Sequence, residues 1–259
     1  MADFSPHNKS FENISRINSI NQFIFWIILG LSIIPIIFKE YIEGLRLVDT
    51  INILNIVGIG IFFILEIITE YILSPQADNK RRDDFIDNSF GSNFSVNNSK
   101  GYYDNDEIKI GIYKAGVNLF ENCFFTYALV QATFYKKIIV PCIGFIIITV
   151  FAYYGFKEVP LALSILQTIF SANVLGLLIK HIILLSRLSS LQNSWIALFQ
   201  NSNIQTLPQN YQSHILRYWI QYETLLSKIN SDIPKKTFDK LNPPLTCDWN
   251  NLKQKLNIR

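Results

Sequence analysis

Four ionisable side chains lie within long apolar runs, where an ionisable group is costly and is by default a functional candidate. Glu66 and Glu70 stand one helical turn apart on one face, near the end of the run Ile51–Leu73. Lys180 and His181 stand at a similar distance from the end of the run Val159–Leu185. A carboxylate and a cation at matching depth can pair between helices, and Glu66 with Lys180 or His181 is the pair this spacing offers. Such a pair would line a polar pathway or latch a closed bundle. The other reading keeps all four at the headgroup boundary, their charged ends reaching for water. Asn52, Asn55, Gln167 and Asn173 are milder, and can bond across helices to hold a bundle or an oligomer together.

Catalytic chemistry is not indicated. The sequence contains no GxSxG, HExxH, Walker loop or GxGxxG pattern, so no catalytic residue is expected and the chain reads as a non-enzyme. Gly58 and Gly60 fall in mid-run and suit helix packing. Asp83, Asp84 and Asp87 adjoin Lys80-Arg81-Arg82 and read as a solvated, self-compensating charge run. Cys123, Cys142 and Cys247 are odd in number and widely spaced, which indicates free thiols rather than disulfides or a zinc site. His7, His181 and His214 are too scattered for a metal site, and no cofactor is expected.

The elements that must position these residues are four apolar runs, Phe23–Phe38, Ile51–Leu73, Ile138–Phe156 and Val159–Leu185. Each approaches the ~20 residues with which a helix crosses a bilayer. Apolar residues make up 49% of the chain and charged ones 17%, and the charge shortfall sits in these blocks rather than being spread with a period of a soluble core. The expected fold is all-α, a polytopic membrane protein with four transmembrane helices in two hairpins. The expected organisation is an N-terminal arm (1–22), a first hairpin (23–73), a cytosolic loop and long amphipathic helix (74–135), a second hairpin (136–185) and a cytosolic helical tail (186–259). The first run is too long for a signal peptide, lacks a small-x-small cleavage site and is soon followed by a second run.

Lys and Arg near the helix ends set orientation. Lys80-Arg81-Arg82 follows the second run and Lys136-Lys137 precedes the third; Lys9 and Arg16 mark the arm, Lys180 and Arg187 the tail. Both termini and the middle segment are therefore expected in the cytoplasm, with two short turns outside. The Asn/Ile/Lys-rich flavour hints at an AT-rich bacterial genome, which makes the inner membrane the expected location. A net charge of +3 does not suggest a nucleic acid polymer as partner.

Outside the runs, the stretch from Asp78 to Asp104 is rich in Asn, Ser, Gly and Asp and predicts loop or short turns with aromatic anchors. From Asn105 or Asp106 onward, Ile108, Ile112, Ala115, Leu119, Cys123 and Val130 predict one apolar helix stripe, unbroken into the third run and bent at Pro141. The fourth run continues through Leu188, Leu191, Trp195, Leu198 and Phe199. A break at Asn201–Pro208 precedes an amphipathic helix over Asn210–Asn230 with Ile215, Trp219, Tyr222, Leu226 and Ile229. Pro234 is expected to end it, and Pro243-Pro244 to set off a last short element with Trp249 and Leu252. These stripes predict a small helical domain under the membrane.

Asp83-Asp84-Phe85 to Phe90-Gly91 after the second run, Gly101-Tyr102-Tyr103 before the long helix, and a tail holding Trp219, Ile233-Pro234 and Trp249 form a layout that resembles one family. It is the SMODS-associating four-transmembrane effectors of bacterial nucleotide-activated anti-phage defence. The residues after Phe90-Gly91 depart from the Leu-Pro-Trp-like continuation of that family. The resemblance implies a pore-forming effector of abortive infection, which oligomerises in the lipid bilayer after a cytosolic signal. It implies a cyclic oligonucleotide as ligand, made by a partner nucleotidyltransferase. Phosphates need cations and bases need aromatic faces. Lys80, Arg81, Arg82, Tyr102, Tyr103, Lys109, Arg217 and Trp219 are the available set, with positive-inside charge and packed aromatics as the alternative account of each. The competing function is a non-catalytic membrane anchor that recruits a cytosolic partner.

Overall fold

The computed structural model describes residues 7–38, 47–95, 103, 105–154, 175–229 and 233–259. They form helices and connecting turns, with no strand among them. Among the described residues three helices are long and apolar enough to cross a membrane: Asn8–Pro35, Leu47–Phe90 and Ile112–Ile146. Most of the fourth apolar run, with Gln167 and Asn173, lies outside the described residues, as do the turns at 39–46 and 155–160. The chain divides into two compact units.

One unit comprises Glu12–Ser74 and Tyr135–Ile179. Its helices α1 (Asn8–Ile37) and α2 (Leu47–Ile67) are joined side by side by three contacts. The Asn55 amide donates to Ser32 Oγ at 2.8 Å, a Cβ on Gly58 would stand 3.1 Å from the Ile28 side chain, and the rings of Phe25 and Phe62 lie 6.1 Å apart. Gly58 thus serves helix packing. Outward-facing side chains are large and apolar, Ile56 at 69% and Phe63 at 60% exposure among them. Water would penalise that surface and hydrocarbon does not.

A π-helical turn, Ile68–Leu73, follows α2 and leads into α3 (Ser74–Phe90). The Ser74 N–H reaches the Thr69 carbonyl, five residues back. The next residue, Pro75, has no N–H, and its ring would crowd the carbonyl of Tyr71 in a regular helix. The wide turn falls directly ahead of that proline.

The loop expected after Asp78 is instead the helix α3. Its inward residues Ala77, Asp84, Phe85 and Asp87 recur at helical spacing, but most of the face is polar, so hydrophobic periodicity does not report it. The helix ends where Gly91 takes φ +71° and donates to the Asp87 carbonyl. The Asp87 carboxylate then accepts the backbone N–H groups of Phe94 and Ser95 at 2.8 and 2.7 Å, turning the chain. Burial pushes its carboxyl up, but these bonds outweigh it and hold the group below its usual range.

The other unit comprises the N-terminal stretch to Phe11, Pro75–Phe134 and Lys180–Arg259. At its centre is α4 (Ile112–Tyr154), which contributes its beginning here and continues into the third apolar run and through Pro141. The helix starts at Ile112, after Gly111 at φ +140°, rather than at Asn105 or Asp106. Nor is its buried face a single stripe. Ala115, Val117, Leu119, Phe120 and Cys123 are buried, and so are Lys114, Asn118 and Glu121. The ring of Phe120 packs 5.4 Å from Phe199 and 5.1 Å from Trp249.

The tail surrounds that helix with α5 (Leu177–Phe199), the short α6 (Asn203–Thr206), a 3₁₀ turn, α7 (Gln212–Lys228) and α8 (Lys235–Lys255). Pro234 caps α8, and Pro243-Pro244 lie inside it rather than before a separate element. The two prolines free the carbonyls of Asp239 and Lys240, which sit on exposed residues that water can reach. Buried Trp249 anchors the helix beyond them.

Candidate functional site

The charged groups after the second apolar run do not form a solvated run. The Arg81 guanidinium grips the Glu223 carboxylate with both arms, at 3.0 and 2.6 Å, and Arg82 Nε donates to the same carboxylate at 2.7 Å. Asp78 stands 3.7 Å from Arg81 Nε. Burial pushes Glu223 up, but Arg81 and then Arg82 outweigh it and hold the carboxyl below its usual range. For Asp78 burial wins and its carboxyl is raised. One face of α3 is thereby clamped to α7, and the Phe85 and Trp219 rings, 5.1 Å apart, pack between the same two helices.

The N-terminal stretch joins this cluster. His7 Nδ1 lies 3.6 Å from an Asp84 oxygen, and both residues are buried. Although Asp84 is near, burial and then the Arg81 charge lower the His7 pKa to about 4.

A second polar network lies in the core around α4. Asn105 donates to Asn118 at 2.9 Å and to Glu121 at 2.7 Å, and accepts from Lys253 at 3.3 Å. Asn118 passes the chain on to Asn88 at 2.9 Å and Ser89 at 3.1 Å. These bonds tie α3, the turn before α4, and α8 to one another. Buried amides that are all bonded specify a single packing.

Of the eight residues offered for ligand binding, Arg81, Arg82 and Trp219 are brought together. Tyr103 is elsewhere, buried, its phenol accepting a bond from Asn122 at 3.2 Å. Lys80 is exposed and donates to Ser10 at 3.2 Å. Lys109 and Arg217 are exposed, and Tyr102 lies outside the described residues. In and near the membrane runs, Glu66 is half-buried while Glu70 and Lys180 are exposed. His181 is buried, bonded to the Val130 carbonyl at 2.9 Å and stacked on Phe134. Among the described residues no three His, Cys, Asp or Glu side chains gather as a metal site.

Sequence reasoning missed Glu223, His7, Asp84 and the Asn105–Asn118–Glu121 network. Glu223 left one signal: it is the sole acid in α7, next to buried Tyr222 and one turn beyond Trp219. Comparison with protein-family models, curated proteins and solved structures returns no match.

Proposed function

We propose that this chain is a signal-gated membrane effector. In this reading it crosses the bacterial inner membrane four times, with both termini in the cytoplasm, and its cytosolic unit senses a nucleotide. Its membrane helices then permeabilise the bilayer, as oligomers, in anti-phage defence. The observation that carries the reading is the make-up of the unit that holds the Arg81–Arg82–Glu223 cluster. The N-terminal stretch, the segment between the second and third apolar runs, and the tail all share one compact body. Chain segments separated by membrane runs can share a core only from one face of a bilayer, which supports an even number of crossings between each.

The Arg81–Arg82–Glu223 clamp supplies the two-state element. Two oxygens of a phosphate accept the paired N–H groups of a guanidinium fork as the two oxygens of a carboxylate do. An anionic ligand that takes Arg81 and Arg82 displaces Glu223 and frees α7 from α3, the helix continuous with the second apolar run. The ligand shifts the equilibrium because it binds the released state better.

The test is membrane potential in a bacterial host expressing the full chain. The wild type depolarises cells only when a cyclic-nucleotide source is co-expressed, and Glu223→Gln depolarises them without it. Intact potential under every condition, with protein confirmed in the membrane, defeats the reading. It would leave the anchor, which the exposed apolar side chains Leu207, Ile220 and Phe238 of the tail favour as a recruiting surface. Retention of a cytosolic partner in mild detergent then decides for it.

A further inference from the structure

The unit that holds the first hairpin buries polar oxygens that find no partner among the described residues. Among described residues 12–74 only Ile14, Asn21 and Thr69 are buried. Two of these three are polar, at 9% and 7% exposure. Asn21 Oδ1 and Thr69 Oγ1 have no hydrogen-bond partner among the described residues. A buried acceptor left unbonded is costly, and more so where no water is at hand. Thr69 also sits in the π-helical turn, whose kind is common at functional sites.

The helix pairing says what these oxygens face. Each step of three or four residues down α1 is matched by a similar step up α2: Ser32 with Asn55, Ile28 with Gly58, Phe25 with Phe62. The next step sets Asn21 level with Glu66. The one after sets Asn18 level with Thr69, a single turn from both. A carboxylate, a carboxamide oxygen and a hydroxyl thus fall on the α1–α2 seam within one helical turn of one another.

We infer that Asn21, Glu66 and Thr69 bind a small monovalent cation, with sodium as the probe. The donor set is all oxygen, which suits hard cations rather than soft metals. One carboxylate balances one positive charge, whereas a divalent ion would leave net charge in a low-dielectric site. The site is independent of the nucleotide-gated reading, since every residue in it belongs to the hairpin unit.

The experiment is thermal unfolding of the full-length protein in nanodiscs, with NaCl exchanged for choline chloride at constant ionic strength. Sodium raises Tm by roughly 5 °C at saturation. Glu66→Gln and the near-isosteric Thr69→Val each abolish most of the rise. Equal Tm in sodium and choline overturns the site. So does a sodium effect that survives in both variants. A rise produced by acid alone in choline, and lost in Glu66→Gln, assigns the position to a proton and overturns the cation. If Glu66→Gln fails to fold, Thr69→Val and the wild-type salt series decide.

Discussion

Glu223 holds two guanidinium groups at once, and His7 is kept neutral beside them, so protonation at single residues should be readable in stability. An exposed imidazole takes its proton near 6.5, whereas buried His7 does so only at about 4. The unfolded chain therefore binds that proton first as pH falls. Stability is complete above 6.5, declines between 6.5 and 4, and levels off below. The loss from pH 7 to pH 5 is about 2 kcal/mol. Denaturant unfolding at the two pH values checks it, and His7→Gln should flatten the difference. The Glu223 contribution runs lower: its carboxyl is held below the usual range, so the clamp is intact above that range and lost as pH falls beneath it. Little of this was legible in the sequence. Lys80-Arg81-Arg82 stood out as a positive-inside signal, but the acid that binds two of them comes from 141 and 142 positions away. Local spacing cannot report such a pair.

Elements show where hydrophobic patterning succeeds and fails. The apolar runs appear as helices wherever they are described, because a continuous block of Ile, Leu and Phe has one stable form in lipid. The inward residues Trp195, Leu198, Phe199, Ile215 and Tyr222 were legible from helical spacing, and all are buried. Helix α3 was not, since its buried face is largely polar, and α8 was not, since two prolines conceal it. Close packing of α4 on α7 gives a test. A Cβ on Gly116 would lie 3.2 Å from Ile215 Cδ1 and 3.5 Å from Phe199 Cζ. Gly116→Val overfills that contact and should cost about 2 kcal/mol. A lowered unfolding midpoint with an unchanged denaturant slope is the expected result; an unchanged midpoint would mean the helices can part freely.

At the scale of the whole molecule, removal of Ser186–Arg259 strips Trp195, Phe199 and Trp249 from around Phe120 and Ile215 from beside Gly116. The start of α4 would then expose its core, and limited proteolysis should cut between Gly111 and Val130, where the full chain resists. A truncation with the same protease map as the full chain would show that the tail is not part of that core. Tail, middle segment and N-terminal stretch are one body although the chain visits them at separate times. A ribosome makes the Arg81–Arg82 half of the clamp well before it makes Glu223, and both remaining apolar runs emerge in between. Translation order therefore leaves an interval with no brake: in a nascent or prematurely terminated chain Arg81 and Arg82 wait without Glu223 until the tail is made.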